Sequence, residues 1–186
     1  MIFPTGWWCI NTFDRCINTF DNGAKNPLRK RLAYLNRRLK NGVGAARISR
    51  GRNEKTSFVI VDAQSVKNTD PAEQKGYDAG KKVSGIKCHL AVDTQGLPHA
   101  IVITTANVTD RKGALVAFSE HQDSLSAVTN VLVDGGYAGQ PFADAGHNLL
   151  GTTVTVAKRN ELRTSAVLPK RWVVERSFAW LEKCRR

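Results

Sequence analysis

The sequence predicts an α/β fold, with one mixed sheet of about five strands flanked by helices. Short apolar runs bounded by turn residues recur between residues 57 and 156, which is typical of buried strands. Segments with helical patterning alternate with these runs, at about 111–122 and 140–149. A last helix is predicted to begin at Pro169 and to reach the C-terminus, so the predicted order is β-β-β-α-β-α-β-α.

The first part of the chain is predicted to differ from the rest. Residues 1–56 read as a short basic region of helices and linker, ahead of a domain at residues 57–186. Apolar residues at helical spacing predict two helices before residue 41. Two interpretations of the second helix are equally good. It could face DNA with its basic residues, or it could pack through its apolar side while its basic side is solvated. Residues 42–56 are predicted to be a basic linker.

Two of the predicted strands end at an aspartate. The apolar run at residues 58–61 leads into Asp62, and the run at 131–133 leads into Asp134. A buried carboxylate is costly unless its charge is compensated. If the two strands pair in parallel, their ends lie one interstrand spacing apart, about 4.8 Å. Ligand sites in open α/β sheets form at such strand ends, so both aspartates are candidates for one site.

The other predicted elements lie around this pair. Residues at about 86–92 and 99–104 are predicted to form a hairpin, because two apolar runs flank a short turn. Asp110 is a candidate cap for the helix that follows the hairpin. The run TTVTVAK is predicted to be the fifth strand.

Two carboxylates at one strand edge would repel each other, and one would be driven towards protonation. A divalent cation would keep both ionised, and oxygen ligands without a nearby His or Cys favour Mg²⁺ or Mn²⁺. A third ligand is expected from the last helix, where Glu175 lies among bulky residues. On this pattern alone, Glu175 fits a metal ligand and a surface salt bridge with Arg171, one turn earlier, equally well.

The charge of the chain points to a polyanionic partner. The net charge is +12, and it divides into +9 over residues 1–61, −3 over residues 62–156 and +6 over residues 157–186. Two basic ends favour nucleic acid, with a generic solvated surface as the alternative. No run of 18 apolar residues could span a membrane, and the start lacks the pattern of a secretory signal. Four scattered cysteines predict a reducing cytoplasm.

Three groups of residues resemble those of a known family. They are "VDAQSVKNTD…KGYDAGKKVSGIKCHLAVDTQGL…ANVTDRKGA", "LVDGGYAG" and "LPKRWVVERSFAWLEKCRR". In this order they resemble the DDE transposases of bacterial insertion sequences, in the branch whose last acid lies in a W-V-V-E-R-(S/T)-F-A-W helix. The resemblance covers about residues 57–186.

The resemblance implies a ribonuclease H-like fold with three catalytic acids that bind metal, here Asp62, Asp134 and Glu175. It implies two Mg²⁺ or Mn²⁺ ions, and cleavage and strand transfer of DNA at the ends of an insertion sequence. The implied partner is double-stranded DNA, both the element ends and the target. A homo-oligomer on DNA is also implied, in the bacterial cytoplasm at the nucleoid, with no membrane.

Basic residues near the three acids are predicted to contact DNA phosphates. Arg171 fits the family's R-x-x-x-E pattern, and Lys183 is assigned to its downstream base. The full predicted set is Lys81, Lys82, Lys87, Lys158, Arg159, Lys170, Arg171 and Lys183. The tryptophans are predicted to pack in the core instead of stacking on a base. They are Trp7, Trp8, Trp172 and Trp180.

Two departures from the family pattern leave other functions open. The chain stops eleven residues after Glu175, where relatives usually continue, and residues 1–50 match only faintly. Both departures predict a shortened transposase. A DNA-binding remnant without catalysis, and a nuclease of the same fold that cuts without joining, are the alternatives.

Overall fold

The computed structural model describes residues 41–67, 75–157 and 171–183, and these residues form a mixed sheet with helices on both faces. The strands are β1 (Phe58–Lys67), β2 (Gly76–Asp78), β3 (Val83–Val92), β4 (Pro98–Thr105), β5 (Asn130–Val133) and β6 (Thr153–Val156). The helices are α1 (residues 41–48), α2 (Asp110–Glu120), α3 (Gln122–Leu125), α4 (Gln140–Leu150) and α5 (Arg171–Lys183). A 3-10 helix, Gly135–Tyr137, follows β5.

The sheet has the order β2-β3-β1-β5-β6, and β4 also pairs with β3. Strands β1, β3 and β4 form an antiparallel set, whereas β5 runs parallel to both β1 and β6. The predicted α/β class, the mixed sheet and the hairpin are therefore confirmed. The structure adds the short strand β2, and it extends β1 to Lys67, beyond the predicted end at residue 62.

One face of the sheet is covered by α2 and α4. Side chains alternate between the two faces along a strand, so every second residue of β1 and β5 belongs to this core. Val59 and Val61 of β1 and Val131 and Val133 of β5 pack there with Phe118 of α2, and all five are almost fully buried.

The opposite face is covered by α5. The intervening strand residues Ile60 and Leu132 pack there against Val173, Val174 and Phe178 of the helix. Among the described residues, this helix covers the apolar residues at the centre of the face. Strand β5 ends at Val133, next to these residues, whereas β1 continues past Asp62 to Lys67.

The prediction of a linker over residues 42–56 is wrong for its first part. Residues 41–48 are helical, and Arg47 is buried with its guanidinium on the carboxylate of Asp93. A local run of basic residues cannot reveal that one of them has a buried acidic partner elsewhere in the chain. The boundary between residues 56 and 57 stays a prediction, and the two helices predicted before residue 41 lie outside the described residues.

Asp93 organises the turn between β3 and β4. It is fully buried, and its Oδ1 accepts hydrogen bonds from the backbone N–H groups of Gln95 at 2.8 Å and Leu97 at 3.0 Å. Burial by itself raises the pKa of Asp93. Hydrogen bonds from His99, from these two N–H groups and from Arg47 outweigh it and lower the pKa to about 2.

The same turn holds α5. Ser177 Oγ donates to the carbonyl of Gly96 at 3.1 Å, and Arg176 donates to the carbonyl of Gln95 at 3.2 Å. A side chain at Gly96 would approach Ser177 Oγ to 3.0 Å, so the turn and the helix are in close contact. The turn therefore links α1 on one side to α5 on the other.

Gly113 of α2 is expected to be intolerant of a side chain. A Cβ there would lie 2.0 Å from Cε1 of His89, which is fully buried and cannot move aside. We expect Gly113→Ala to lower the free energy of unfolding by about 1–3 kcal/mol, although alanine is the better helix former. Urea denaturation of the variant and the wild type measures this difference in the free energy of unfolding.

Gly42→Ala is the matched control for Gly113→Ala. Gly42 is also helical, but nothing lies within 4 Å of the position that a Cβ would take there. This variant should be neutral or more stable by up to about 1 kcal/mol. Equal stability of Gly113→Ala and the wild type would show that His89 and α2 do not pack as tightly as these distances require.

Candidate active site

Asp62 and Asp134 each follow, by two residues, the last paired residue of two neighbouring parallel strands. In the β1–β5 ladder, Ile60 lies opposite Leu132. Asp62 follows Ile60 by two residues, and Asp134 follows Leu132 by two residues. Because Asp134 keeps an extended backbone, the alternation of side chains continues to it. Both aspartates therefore belong to the face that packs against α5, as the prediction of parallel pairing required.

Each aspartate is half-buried and accepts a hydrogen bond from a backbone N–H close by. The Oδ1 atom of Asp62 accepts from Ala63 at 2.8 Å. The Oδ1 atom of Asp134 accepts from Gly136 at 2.8 Å and so caps the 3-10 turn. A side chain at Gly136 would lie 3.0 Å from this oxygen, so glycine allows the carboxylate to bend over the turn.

Glu175 lies on α5, next to the face that covers β1 and β5. Its neighbours Val174 and Phe178 are buried against the sheet, whereas Glu175 is exposed. Among the residues that the structure describes, no three His, Cys, Asp or Glu side chains form a group that could hold a metal ion. Asp62 and Asp134 match a hard divalent cation in ligand chemistry and in their paired placement. Glu175, the third carboxylate of the predicted set, lies on the adjacent helix α5 and does not form a three-residue metal site with these two aspartates here.

Lys87 is not available to a DNA phosphate in this structure. Its side chain is 5% exposed, and its Nζ lies 3.0 Å from Asp78 and 2.8 Å from Asp110. Burial alone lowers the pKa of Lys87, but its hydrogen bonds to Asp110 and Asp78 outweigh this and raise it. The pKa of Asp78 is lowered, chiefly by the hydrogen bond from Ser65, against the opposing effect of burial. Lys87 lies within the apolar run predicted as a strand at residues 86–92, but that run did not reveal the two aspartates that bind its ammonium group.

The other predicted DNA contacts are only partly within the described residues. Lys81 is 43% exposed, and its Nζ donates to the carbonyl of Ala63 at 2.8 Å. Lys82 is exposed, with a left-handed backbone at φ 54°. The remaining members lie outside the described residues or have undescribed side chains. They are Lys158, Arg159, Lys170, Arg171 and Lys183.

Trp172 and Trp180 do not pack in the core, so that prediction is wrong for both. They are 56% and 42% exposed, and the guanidinium of Arg176 lies between them at 4.6 and 4.7 Å from the two ring centroids. The buried face of α5 is already filled by its aliphatic and phenylalanine side chains. Helical spacing of apolar residues does not reveal how wide the buried face is. Trp7 and Trp8 lie outside the described residues.

Sequence reasoning missed Arg111, in the first turn of α2. Its Nε donates to the carbonyl of Gly136 at 2.9 Å, two residues after Asp134. The helix is capped by Thr109, whose side chain accepts from Lys112 N–H, and not by the predicted Asp110. One signal was present in the sequence: two cations, Arg111 and Lys112, stand at a helix start, where the helix dipole disfavours positive charge.

The chain belongs to the DDE transposases. Residues 53–186 match the family described as "Transposase DDE domain", and the sheet order and flanking helices agree with the ribonuclease H-like fold of that family. The chain is also 32% identical over 109 residues to a Burkholderia cepacia protein named "Putative transposase for insertion sequence element IS402". The aligned part is 55% of this chain and 51% of that protein, so the chain spans about half the length of this relative.

A membrane-spanning helix is absent from residues 41–67, 75–157 and 171–183, since none of their helices is long and apolar enough.

Proposed function

We propose that this chain is the transposase of an insertion sequence, and that it cuts and joins DNA with Asp62, Asp134 and Glu175 as its catalytic carboxylates. The observation that supports this most is the parallel pairing of β1 and β5, in a register that leaves Asp62 and Asp134 two residues beyond the last pair, Ile60 and Leu132. Membership of the transposase family supports DNA as the substrate class. The placement of α5 over the same face supports Glu175 as the third member.

The proposed cofactor is Mg²⁺ or Mn²⁺, in two sites held by the three carboxylates. When bound, the ions would lower the pKa of the attacking group and stabilise the leaving oxygen of the phosphodiester. Asp62 and Asp134 contribute hard oxygen ligands from the rigid sheet, and their backbone hydrogen bonds fix the orientation of each carboxylate. Glu175 contributes from the helix, and it has to approach the pair for the set to be complete.

Double-stranded DNA, at the element ends and at the target, is the proposed partner. Lys81 and Lys82 are exposed close to β1 and are proposed to contact phosphates. The other proposed contacts are Lys158, Arg159, Lys170, Arg171 and Lys183. Such contacts release counterions, so binding should weaken steeply as salt is raised. Assembly as a homo-oligomer on the DNA and a place at the bacterial nucleoid are part of the proposal.

The test is a strand-transfer assay with this chain, a labelled duplex ending in the inverted repeat of its own element, and Mg²⁺ or Mn²⁺. We expect cleavage at the repeat and joining of the freed 3′ end to a target duplex, with neither reaction in the presence of a chelator. Cleavage without joining would replace the proposal with a nuclease. Binding to the repeat without cleavage would identify a DNA-binding remnant, and either result overturns the transposase assignment.

A further inference from the structure

We infer that the first turn of α2 positions both proposed catalytic aspartates, through Arg111 on the Asp134 side and through Lys81, paired with Asp110, on the Asp62 side. The inference rests on the proposed function, since it assigns a task to residues around Asp62 and Asp134. Arg111, Asp110 and Lys81 are positioning residues in this account, because each acts on a carboxylate through the backbone of another residue.

On the Asp134 side, Gly136 is held at both of its backbone groups. Its N–H donates to Asp134 Oδ1 at 2.8 Å, and its carbonyl accepts from Arg111 Nε at 2.9 Å. Gly135 and Gly136 have no Cβ, so the turn between β5 and the following helix has unusual backbone freedom. The hydrogen bond from Arg111 restrains that freedom at the residue that orients the carboxylate.

On the Asp62 side, Ala63 has the same two contacts. Its N–H donates to Asp62 Oδ1 at 2.8 Å, and its carbonyl accepts from Lys81 Nζ at 2.8 Å. Lys81 Nζ also lies 3.7 Å from Asp110 Oδ2. Asp110 is in turn fixed by the buried Lys87, whose Nζ lies 2.8 Å from its Oδ1. Each aspartate thus accepts a hydrogen bond from the N–H of a residue whose own carbonyl accepts one from a basic side chain.

The two arrangements meet at adjacent residues of one helix. Asp110 and Arg111 stand side by side at the start of α2. That helix is capped by Thr109 and buries Gly113 and Ala114 against the sheet. The position of its first turn is therefore fixed relative to the strands. Both aspartates are connected to this first turn, through Arg111 and through Lys81 with Asp110. The separation of their carboxylates therefore depends on where the turn lies. Metal ligands held at the wrong separation lose affinity, and residues that orient such ligands typically contribute about 10–100-fold.

The test is the affinity of the full chain for Mn²⁺ without DNA, measured by electron paramagnetic resonance of unbound Mn²⁺. We expect Arg111→Gln to weaken binding about 10-fold or more, and Arg111→Lys, which keeps a donor, to recover part of it. Lys112→Gln is the matched control, since Lys112 is the next residue, has the same charge and is exposed. Lys81→Gln should also weaken binding, with Lys67→Gln, a change at an exposed lysine at the end of β1, as its control.

The outcomes separate this inference from the proposed function. If Asp62→Asn leaves Mn²⁺ binding unchanged, or the wild type binds none, both the proposed function and this inference fail. If Asp62→Asn abolishes binding while Arg111→Gln binds like the wild type, only this inference fails. Equal losses in Arg111→Gln and Lys112→Gln would also overturn it, because a general charge effect would then explain both. If a thermal melt shows that Arg111→Gln is unfolded, the Mn²⁺ affinities of Arg111→Lys and Lys112→Gln are compared instead. A loss in Arg111→Lys no larger than that in Lys112→Gln would then overturn the inference.

Discussion

Asp62→Asn and Asp134→Asn should each reduce strand cleavage about 1,000-fold or more while leaving DNA binding intact. The amide keeps the shape of the side chain but removes the negative charge that a divalent ion requires. Removal of a carboxylate beside a phosphodiester also removes repulsion, so binding should be equal or tighter. Cleavage of a labelled element end on a denaturing gel, with fluorescence anisotropy for binding, measures both quantities.

Asp144→Asn is the matched control for these two variants. Asp144 is exposed on α4, which packs on the face of the sheet opposite α5, and it accepts a hydrogen bond from Gln140 in its own helix. It should cleave like the wild type. Retention of wild-type cleavage by either Asp62→Asn or Asp134→Asn would remove that residue from the proposed active site.

Arg47→Met should lower the free energy of unfolding by about 3–5 kcal/mol, because it leaves the buried carboxylate of Asp93 without its cationic partner. Side chains of Arg47 and Asp93 are only 6% and 0% exposed, so water cannot replace the guanidinium. The variant also loses the hydrogen bond from Arg47 Nε to the carbonyl of Asn53, at 2.8 Å. Chemical denaturation of the full chain gives the value.

Two further variants show whether charge is the cause. Arg50→Met removes an exposed arginine of the same segment, whose partner is Gln95, and should cost less than about 1 kcal/mol. The double variant Arg47→Met with Asp93→Asn should be more stable than Arg47→Met alone, because no unpaired charge is then buried. A loss in Arg47→Met no larger than that in Arg50→Met would contradict the buried ion pair.

The Arg47 ion pair also matters for the proposed site. Asp93 shapes the turn that Ser177 and Arg176 of α5 contact, and α5 bears Glu175. A change at Arg47 therefore reaches the helix that holds the proposed third carboxylate. The sequence did not predict this connection, since Arg47 lies in a segment whose basic composition resembles a linker.

The parallel pairing of β1 and β5 is the part of the surroundings of the proposed site that the sequence anticipated. Apolar runs leading into aspartate marked both strands, and the predicted site depended on their pairing in parallel, which the structure shows. Glu175 was placed by its resemblance to a family motif and not by its pattern. Lys87 shows the limit of such reasoning, because it was predicted to contact DNA although it lies in an apolar strand, where it is buried between two aspartates.

The sequence by itself determined the α/β class and the two apolar runs that lead into Asp62 and Asp134. Both features follow from short apolar runs bounded by polar residues, which depend only on neighbours in the chain. The continuation of β1 past Asp62 to Lys67 was not among them. Only the tertiary structure decided that Arg47 meets Asp93 and that Arg111 meets Gly136. Polar contacts of this kind join residues far apart in sequence, and no local pattern encodes which distant partner a charged side chain reaches.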